Sequence, residues 1–469
     1  MATSLRFSLV LLFICFRLAL SDSVAASVAV NYGRIADNLP PPSQVAQLLK
    51  SHGLTKAKLF DTDSSVLSAF STAGISFVVS LPNQLLSSAA APNTSFTDNW
   101  VQSNILPYKQ IIEAIAVGNE VFVDPQNTTQ FLVPAMNNIH SSLVKLGLDT
   151  SIKISSPIAL SALASSYPSS SGSFKPELIE SVIKPMLSFL KQTNSSLMVN
   201  VYPFFAYKDN SNTISLDYAL FKDNAGVVDS GNGLRYKSLF DAQIDAVYAA
   251  MDALQFNDVK IVVSETGWPS KGDENETGAG KENAAAYIGN LVRRVLTGGG
   301  SPRRPNEPLN VYLFALFNED QKNGPISERN YGLFYPNKER VYDVPLTLAE
   351  LKGQSNANGS TTSKTQIPAP AAAPTSSGET WCVANVNVGE KKLQEALDYA
   401  CGEGGADCSV IEEGAACFNP NTTEAHASYA FNSYYQLKSR ATGTCDFGGA
   451  GYLVTQPPRF GKCEFPTRY

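Results

Sequence analysis

Residues 260–269, KIVVSETGWP, decide how the chain is read. Apolar and β-branched residues run up to Ser264 and Glu265, and a Thr-Gly-Trp-Pro turn follows. That is the pattern of a buried strand whose C-terminal end opens into a loop. A glutamate there has little structural reason of its own, because Glu is almost never fully buried without a partner. Residues 111–120, IIEAIAVGNE, have the same form: a hydrophobic strand ending in Gly-Asn-Glu. Two such glutamates, Glu120 and Glu265, point to paired-carboxylate chemistry.

Working outward, the same strand pattern recurs at 28–33 (VAVNYG), 56–61 (KAKLFD), 75–81 (ISFVVSL), 152–157 (IKISSP), 197–204 (LMVNVYPF) and 310–317 (NVYLFALF). Helical apolar spacing separates these runs, at 43–52, 66–73, 100–106, 131–146, 178–193, 236–254 and 282–296. A closing helix starts at 345–351, and Pro185 predicts a kink or break. Eight strand-then-helix units, with strands apolar on both faces, predict an α/β fold, a (β/α)8 TIM barrel. An open doubly wound sheet would want a Gly-rich phosphate turn after its first strand, and NYGRIADNLP is not one. Active sites of such barrels lie at the C-terminal ends of the strands. Glu120 ends strand four and Glu265 ends strand seven, so both face one mouth.

The rest of the chain sets limits. It has 469 residues, 43% hydrophobic and 17% charged, with a net charge of −6. That charge argues against nucleic acid as a partner. Its three histidines, His52, His140 and His426, are scattered without metal-ligand spacing, so no metal or cofactor is expected. Residues 1–26 read as a secretory signal: Arg6, an apolar core at 7–16 interrupted by Arg17, then small residues with cleavage near Ala25 or Ala26. The polar C-terminus, 462–469, lacks a GPI-type tail. An exported, soluble monomer with no stable membrane anchor is expected. Sequons at Asn93, Asn127, Asn194, Asn275, Asn358 and Asn421 agree with export.

The barrel is expected to occupy 27–352. Residues 353–379, rich in Ser, Thr, Asn, Ala and Pro, read as an extended linker. Residues 380–469 hold six cysteines, Cys382, Cys401, Cys408, Cys417, Cys445 and Cys463, an even set in a short exported segment that reads as three disulfides. No C-x2-C pair supports zinc. Helices are expected at 391–401 and 423–438.

Glycoside hydrolysis uses two carboxyl groups, one protonated to donate to the leaving oxygen and one ionised to attack or to activate water. Asn119 could bond a sugar hydroxyl, Trp268 could offer a flat face to a sugar ring, and Tyr202 could touch the nucleophile or a ring. Strand eight leads to Glu319, Lys322 and Glu328, where the lysine could favour an ionised neighbour.

The motifs VGNE, NVYPFFAY, VVSETGWPS and LFNEDQK…ERNYGLFYP, with the opening VNYGRIADNLPPP that carries Tyr32, resemble plant glycoside hydrolase family 17, the endo-1,3-β-glucanases, over residues 28–352. The resemblance implies a retaining hydrolase of 1,3-β-glucan. Glu120 would be the acid/base and Glu265 the nucleophile. Glu319, Lys322 and Glu328 would support them, with Tyr32, Asn119, Tyr202 and Trp268 near the substrate. A glucan transglycosylase using the same residues, or a non-catalytic glucan-binding protein, are the alternatives. TWCVAN, LDYACG, CSVI, ACFNPNT and HASYAFNSYYQ resemble the X8 domain, carbohydrate-binding module family 43. That implies 1,3-β-glucan binding and the pairs Cys382–Cys445, Cys401–Cys408 and Cys417–Cys463. CGEGGADC departs from the family in being one residue longer than the commoner spacing. Trp381, Tyr429, Tyr434 and Tyr435 are the candidates to stack on sugar.

Overall fold

The computed structural model describes residues 26–357, 380–385, 388–441, 444–454, 458, 460 and 463–467. The expected signal core, the Ala25 cleavage position, most of the linker and the Asn358 sequon lie outside them. The chain divides into two compact units, 1–362 and 363–469.

The first unit is a barrel. Its strands are β1 (Ser27–Tyr32), β2 (Lys56–Leu59), β3 (Ser76–Leu81), β4 (Ile112–Val117), β5 in two stretches (Lys153–Ser155 and Pro157–Ala159), β6 (Leu197–Asn200), β7 (Ile261–Thr266) and β8 (Asn310–Leu313). All neighbours pair in parallel, and β1 pairs with both β2 and β8. The first stretch of β5 pairs with β4 and the second with β6. The break falls at Ser156, just before a proline that has no N–H for the ladder. The pairing partner changes there, and the ring is completed through one broken strand. β8 is regular only to Leu313 and ends before a cis Phe314–Ala315 peptide, so it is shorter than the 310–317 run predicted.

Helices follow the strands: α1 (Pro42–Ser51), α2 (Ser64–Ser71), α3 (Ser95–Asn104), α4 (Leu132–Lys145), α5 (Lys184–Gln192), α6 (Leu239–Ala253), α7 (Lys281–Thr297) and α8 (Leu348–Ala357). The Asp63 carboxylate caps α2 by accepting the Ser65 and Val66 N–H groups, which satisfies donors a helix start leaves free. The break expected near Pro185 is there. A π turn, Ile179–Ile183, precedes α5 and accommodates a residue without an N–H. No helix among the described residues is long and apolar enough to cross a membrane.

Strand alternation sorts the side chains. Val30, Ala57, Leu59, Phe77, Val79 and Leu81 join the large core shared with the helices. Ala29, Val78, Ala114, Ala116, Met198 and Tyr312 form a separate cluster inside the barrel. Further along the same inward rows, toward the strand C-terminal ends, the residues turn polar: Asn31, Lys58, Ser80, Asn200 and Ser264, all buried. The barrel interior is thus an apolar layer under a polar one, and the polar layer is the floor of the mouth.

In the second unit, β9 (Trp381–Ala384) pairs antiparallel with β10 (Gly451–Val454), beside α9 (Glu390–Cys401) and α10 (Thr423–Leu437). The disulfides are Cys382–Cys445, Cys401–Cys408 and Cys417–Cys463, the pairs the resemblance implied.

Candidate active site

Strict alternation along β7 would send Glu265 outward, since Val263 faces the helices and Ser264 the interior. A β-bulge prevents this. The register of β7 shifts between Val263 and Glu265 against β6, and between Val263 and Thr266 against β8. A bulge adds a residue to one strand and re-aims the side chains beyond it. Glu265 therefore turns into the barrel, where it is buried. Lys58 Nζ donates to its Oε1 at 2.8 Å, and the Tyr202 hydroxyl donates to its Oε2 at 3.0 Å. Both oxygens are acceptors, and the carboxylate is held from β2 and from the turn that follows β6.

Glu120 reaches the same mouth by a different device. Its backbone is left-handed, at φ 48° and ψ 42°, which costs a residue with a Cβ about 1 kcal/mol or more. The Glu120 N–H donates to the Pro157 carbonyl at 2.9 Å and locks the turn. Gly118, at φ 67°, makes the turn possible; a Cβ there would stand 2.5 Å from the Val121 side chain. Asn200 Nδ2 donates to Glu120 Oε1 at 2.8 Å, and Ser264 Oγ donates to Asn200 Oδ1 at 2.7 Å. The serine sets the amide so that its donor end meets the carboxyl. Burial, and after it the charge of Glu265, raise the Glu120 pKa above its ordinary value, against the Asn200 hydrogen bond. The two carboxyls therefore share one electrostatic environment, in which Glu120 is biased toward its protonated form.

Beyond β8, Glu319 is buried and accepts the Ile35 N–H at 2.9 Å. It fits because residue 33 is glycine, where a Cβ would lie 2.3 Å from Glu319 Oε2. Lys322 Nζ lies 3.9 Å from Glu319, 3.6 Å from Glu328 and 4.3 Å from the Phe314 ring centre. Burial raises the Glu319 pKa, and the Lys322 charge opposes it. Asn119 exchanges backbone hydrogen bonds with the Asn83 amide. Its own Oδ1 has no protein partner among the described residues, leaving an acceptor next to Glu120.

Two expected substrate contacts are corrected. Trp268 is 0% exposed, packed among Phe204, Tyr207 and Tyr287, with its Nε1 donating to the Gly278 carbonyl at 2.9 Å. It presents no face to a sugar. Trp268→Ala should cost about 3–5 kcal/mol of stability, as emptying a packed aromatic site does. Urea unfolding would measure that, and KM in the folded variant should stay near wild type. Tyr32 sits on the outward row of β1, its ring against Phe70 and Phe317. Its neighbour Asn31 points inward and donates to the Ser264, Tyr312 and Leu313 carbonyls.

Sequence reasoning missed Lys58 and the roles of Asn200 and Ser264. The signal for Lys58 was present. KAKL alternates, and a charged residue flanked by Ala57 and Leu59 on the helix-facing row must face the interior.

In the second unit, Trp381, Tyr429 and Tyr435 are also corrected. They are buried in the core of this small unit and offer no platform. Tyr434 is half-buried. Beside it, at 6.1 Å between ring centres, stands Tyr399, 47% exposed, with Lys438 Nζ 5.2 Å from the Tyr434 ring centre. The described sequons, at Asn93, Asn127, Asn194, Asn275 and Asn421, are all exposed.

Residues 28–346 match the model of glycosyl hydrolases family 17. The chain belongs to this family. Residues 380–452 of the hydrolase match the X8 domain. It is 41% identical to glucan endo-1,3-beta-glucosidase 13 of Arabidopsis thaliana over 96% of its own length and 87% of that protein. It is 39% identical to a glucan endo-1,3-beta-D-glucosidase of Olea europaea, covering 98% and 97%. A beta-1,3-glucanase and allergen of Cryptomeria japonica pollen superimposes on 69% of the hydrolase and 99% of its own chain, with a TM-score of 0.66 and 39% identity.

Proposed function

We propose that this hydrolase cleaves internal 1,3-β-glucosidic bonds of 1,3-β-glucan with retention of configuration. The observation that carries the reading is the contrast between its two carboxyls: Glu120 is biased toward its acid form, whereas Glu265 accepts hydrogen bonds at both oxygens. In the first step a Glu265 oxygen attacks the anomeric carbon, the bond to the leaving oxygen breaks, and the Glu120 proton goes to that oxygen. In the second, Glu120 takes a proton from water, the water oxygen bonds to the anomeric carbon, and the electron pair of the ester bond returns to Glu265. Glu319, Lys322 and Glu328 form a supporting charge network behind the reacting pair.

The test is incubation with laminarin and proton NMR of the early products. Reducing ends appearing first as the β-anomer support the reading. First appearance of the α-anomer would mean inversion. An added oligosaccharide acceptor that is elongated in preference to water would mean transglycosylation. Three disulfides and exposed sequons support a setting outside the cytosol, where such bonds persist.

The X8 unit would hold the polymer through Tyr399 and Tyr434. Tyr399→Ala with Tyr434→Ala in the full chain should weaken partition onto insoluble 1,3-β-glucan by about five- to tenfold, the scale of lost aromatic contacts. Turnover of soluble oligosaccharides should be unchanged. Pull-down with the insoluble polymer reads the first effect and a reducing-sugar assay the second.

A further inference from the structure

The barrel floor holds a cation that the paired-carboxylate scheme does not use. Lys58 is fully buried at the inward position of β2. Its ammonium is 2.8 Å from Glu265 Oε1 and 3.9 Å from the Phe60 ring centre. A lysine almost never occupies such a place without a reason, and breaking a buried ion pair leaves one charge uncompensated. We propose that Lys58 is a positioning residue for the hydrolysis, holding Glu265 through Oε1 and acting as the fixed counter-charge that the two glutamates share as charge moves between them.

The proposal rests on the reading above. In that scheme Glu265 loses its negative charge when it becomes an ester. Lys58 would then be a buried cation without its ion-pair partner. At that moment Glu120 has given up its proton and is the anion nearest in role and in field; its charge and that of Lys58 already act on one another. When Glu120 takes a proton from water and the ester opens, the negative charge returns to Glu265. The floor of the mouth thus stays near neutral at each stage, while the lysine does not move.

The other groups around this cation leave it that role. Burial above all, and to a lesser degree the Lys322 charge from beyond β8, lower the Lys58 pKa, and the charges of Glu265 and Glu120 oppose them, so the ammonium form leans on both glutamates. Lys322 lies beside Glu319 and Glu328, with which it forms its own network. From beyond β6, Tyr202 is a neutral donor on the other oxygen of Glu265. Phe60 offers only the face of a ring.

A shared counter-charge makes a prediction that a packing role does not. One cation favours the ionised form of both carboxyls, so its loss should move both limbs of the kcat/KM–pH profile to higher pH. Lys58→Gln should lower kcat on laminarin by on the order of 10²-fold with KM little changed, and shift the whole bell upward by about one pH unit. Lys58→Arg keeps the charge, and its bell should stay at the wild-type position at whatever rate it retains. This second variant decides the matter if Lys58→Gln does not fold. Folded Lys58→Gln with both limbs unmoved would overturn the proposal, as would Lys58→Arg with its bell displaced upward. A wild-type protein that hydrolyses no glucan would overturn the functional reading, and this proposal with it. An active wild type with an unmoved variant profile would overturn the lysine's role alone.

Discussion

Glu265→Gln should lose laminarin hydrolysis by about 10⁴-fold or more, the scale on which removing an attacking group acts. The substitution keeps the side chain's size and removes its charge. The amide can still accept at its oxygen, but its NH2 end cannot accept from either Lys58 or Tyr202, which donate to the two carboxylate oxygens in the native site. Lys58 would then be an uncompensated buried cation, so the variant should also melt below wild type. Polymer binding should survive, because the X8 unit is untouched. The measurements are reducing-sugar release, thermal unfolding and partition onto insoluble glucan. A folded variant within tenfold of wild-type activity would remove Glu265 from the mechanism and leave the proposed function without its nucleophile.

Glu120→Gln should cost about 10²- to 10⁴-fold in kcat/KM on laminarin, the usual worth of a general acid–base group. The loss should depend on the leaving group. From dinitrophenyl β-laminaribioside the dinitrophenolate departs without a proton, so the first step should be nearly as fast as in wild type, with the intermediate accumulating because water is no longer activated. Azide, which needs no base, should restore turnover and give a β-glycosyl azide. The pH dependence follows from the direction of the Glu120 shift. Burial and the Glu265 charge raise its pKa, and the first step needs the protonated form. Activity is therefore lost as pH rises through that pKa, and this alkaline limb should lie above the ordinary glutamate value. In Glu120→Gln it should be absent. Equal losses on laminarin and on the activated substrate would show that Glu120 is not the acid.

The contrast between Glu120 and Glu265 also shows how much of the site was legible beforehand. Both glutamates stood out because a carboxylate at the end of an apolar run is expensive to bury and easy to notice. How each enters the barrel was not legible. Glu265 relies on a register shift that exists only when β7 pairs with β6 and β8. Glu120 relies on a left-handed backbone held by the carbonyl of Pro157, a residue on another strand. Trp268 and Tyr32 were misjudged for one reason. Aromatic residues beside the glutamate motifs can serve substrate or core, and the choice depends on which row of the strand or which side of a loop they occupy. Trp381, Tyr429 and Tyr435 repeat the error, being the rings that fill the core of a small unit.

By itself the sequence determined the barrel, the six-cysteine unit and which two strands end in glutamates at one mouth. Apolar runs at regular intervals have few ways to hide from water, and buried acids are rare. Tertiary structure decided which side chains meet in the mouth: the buried Lys58, the Ser264–Asn200–Glu120 relay and the inward turn of Glu265. Those contacts join residues tens to hundreds of positions apart. Their energies come from excluding water around charges that no local pattern brings together.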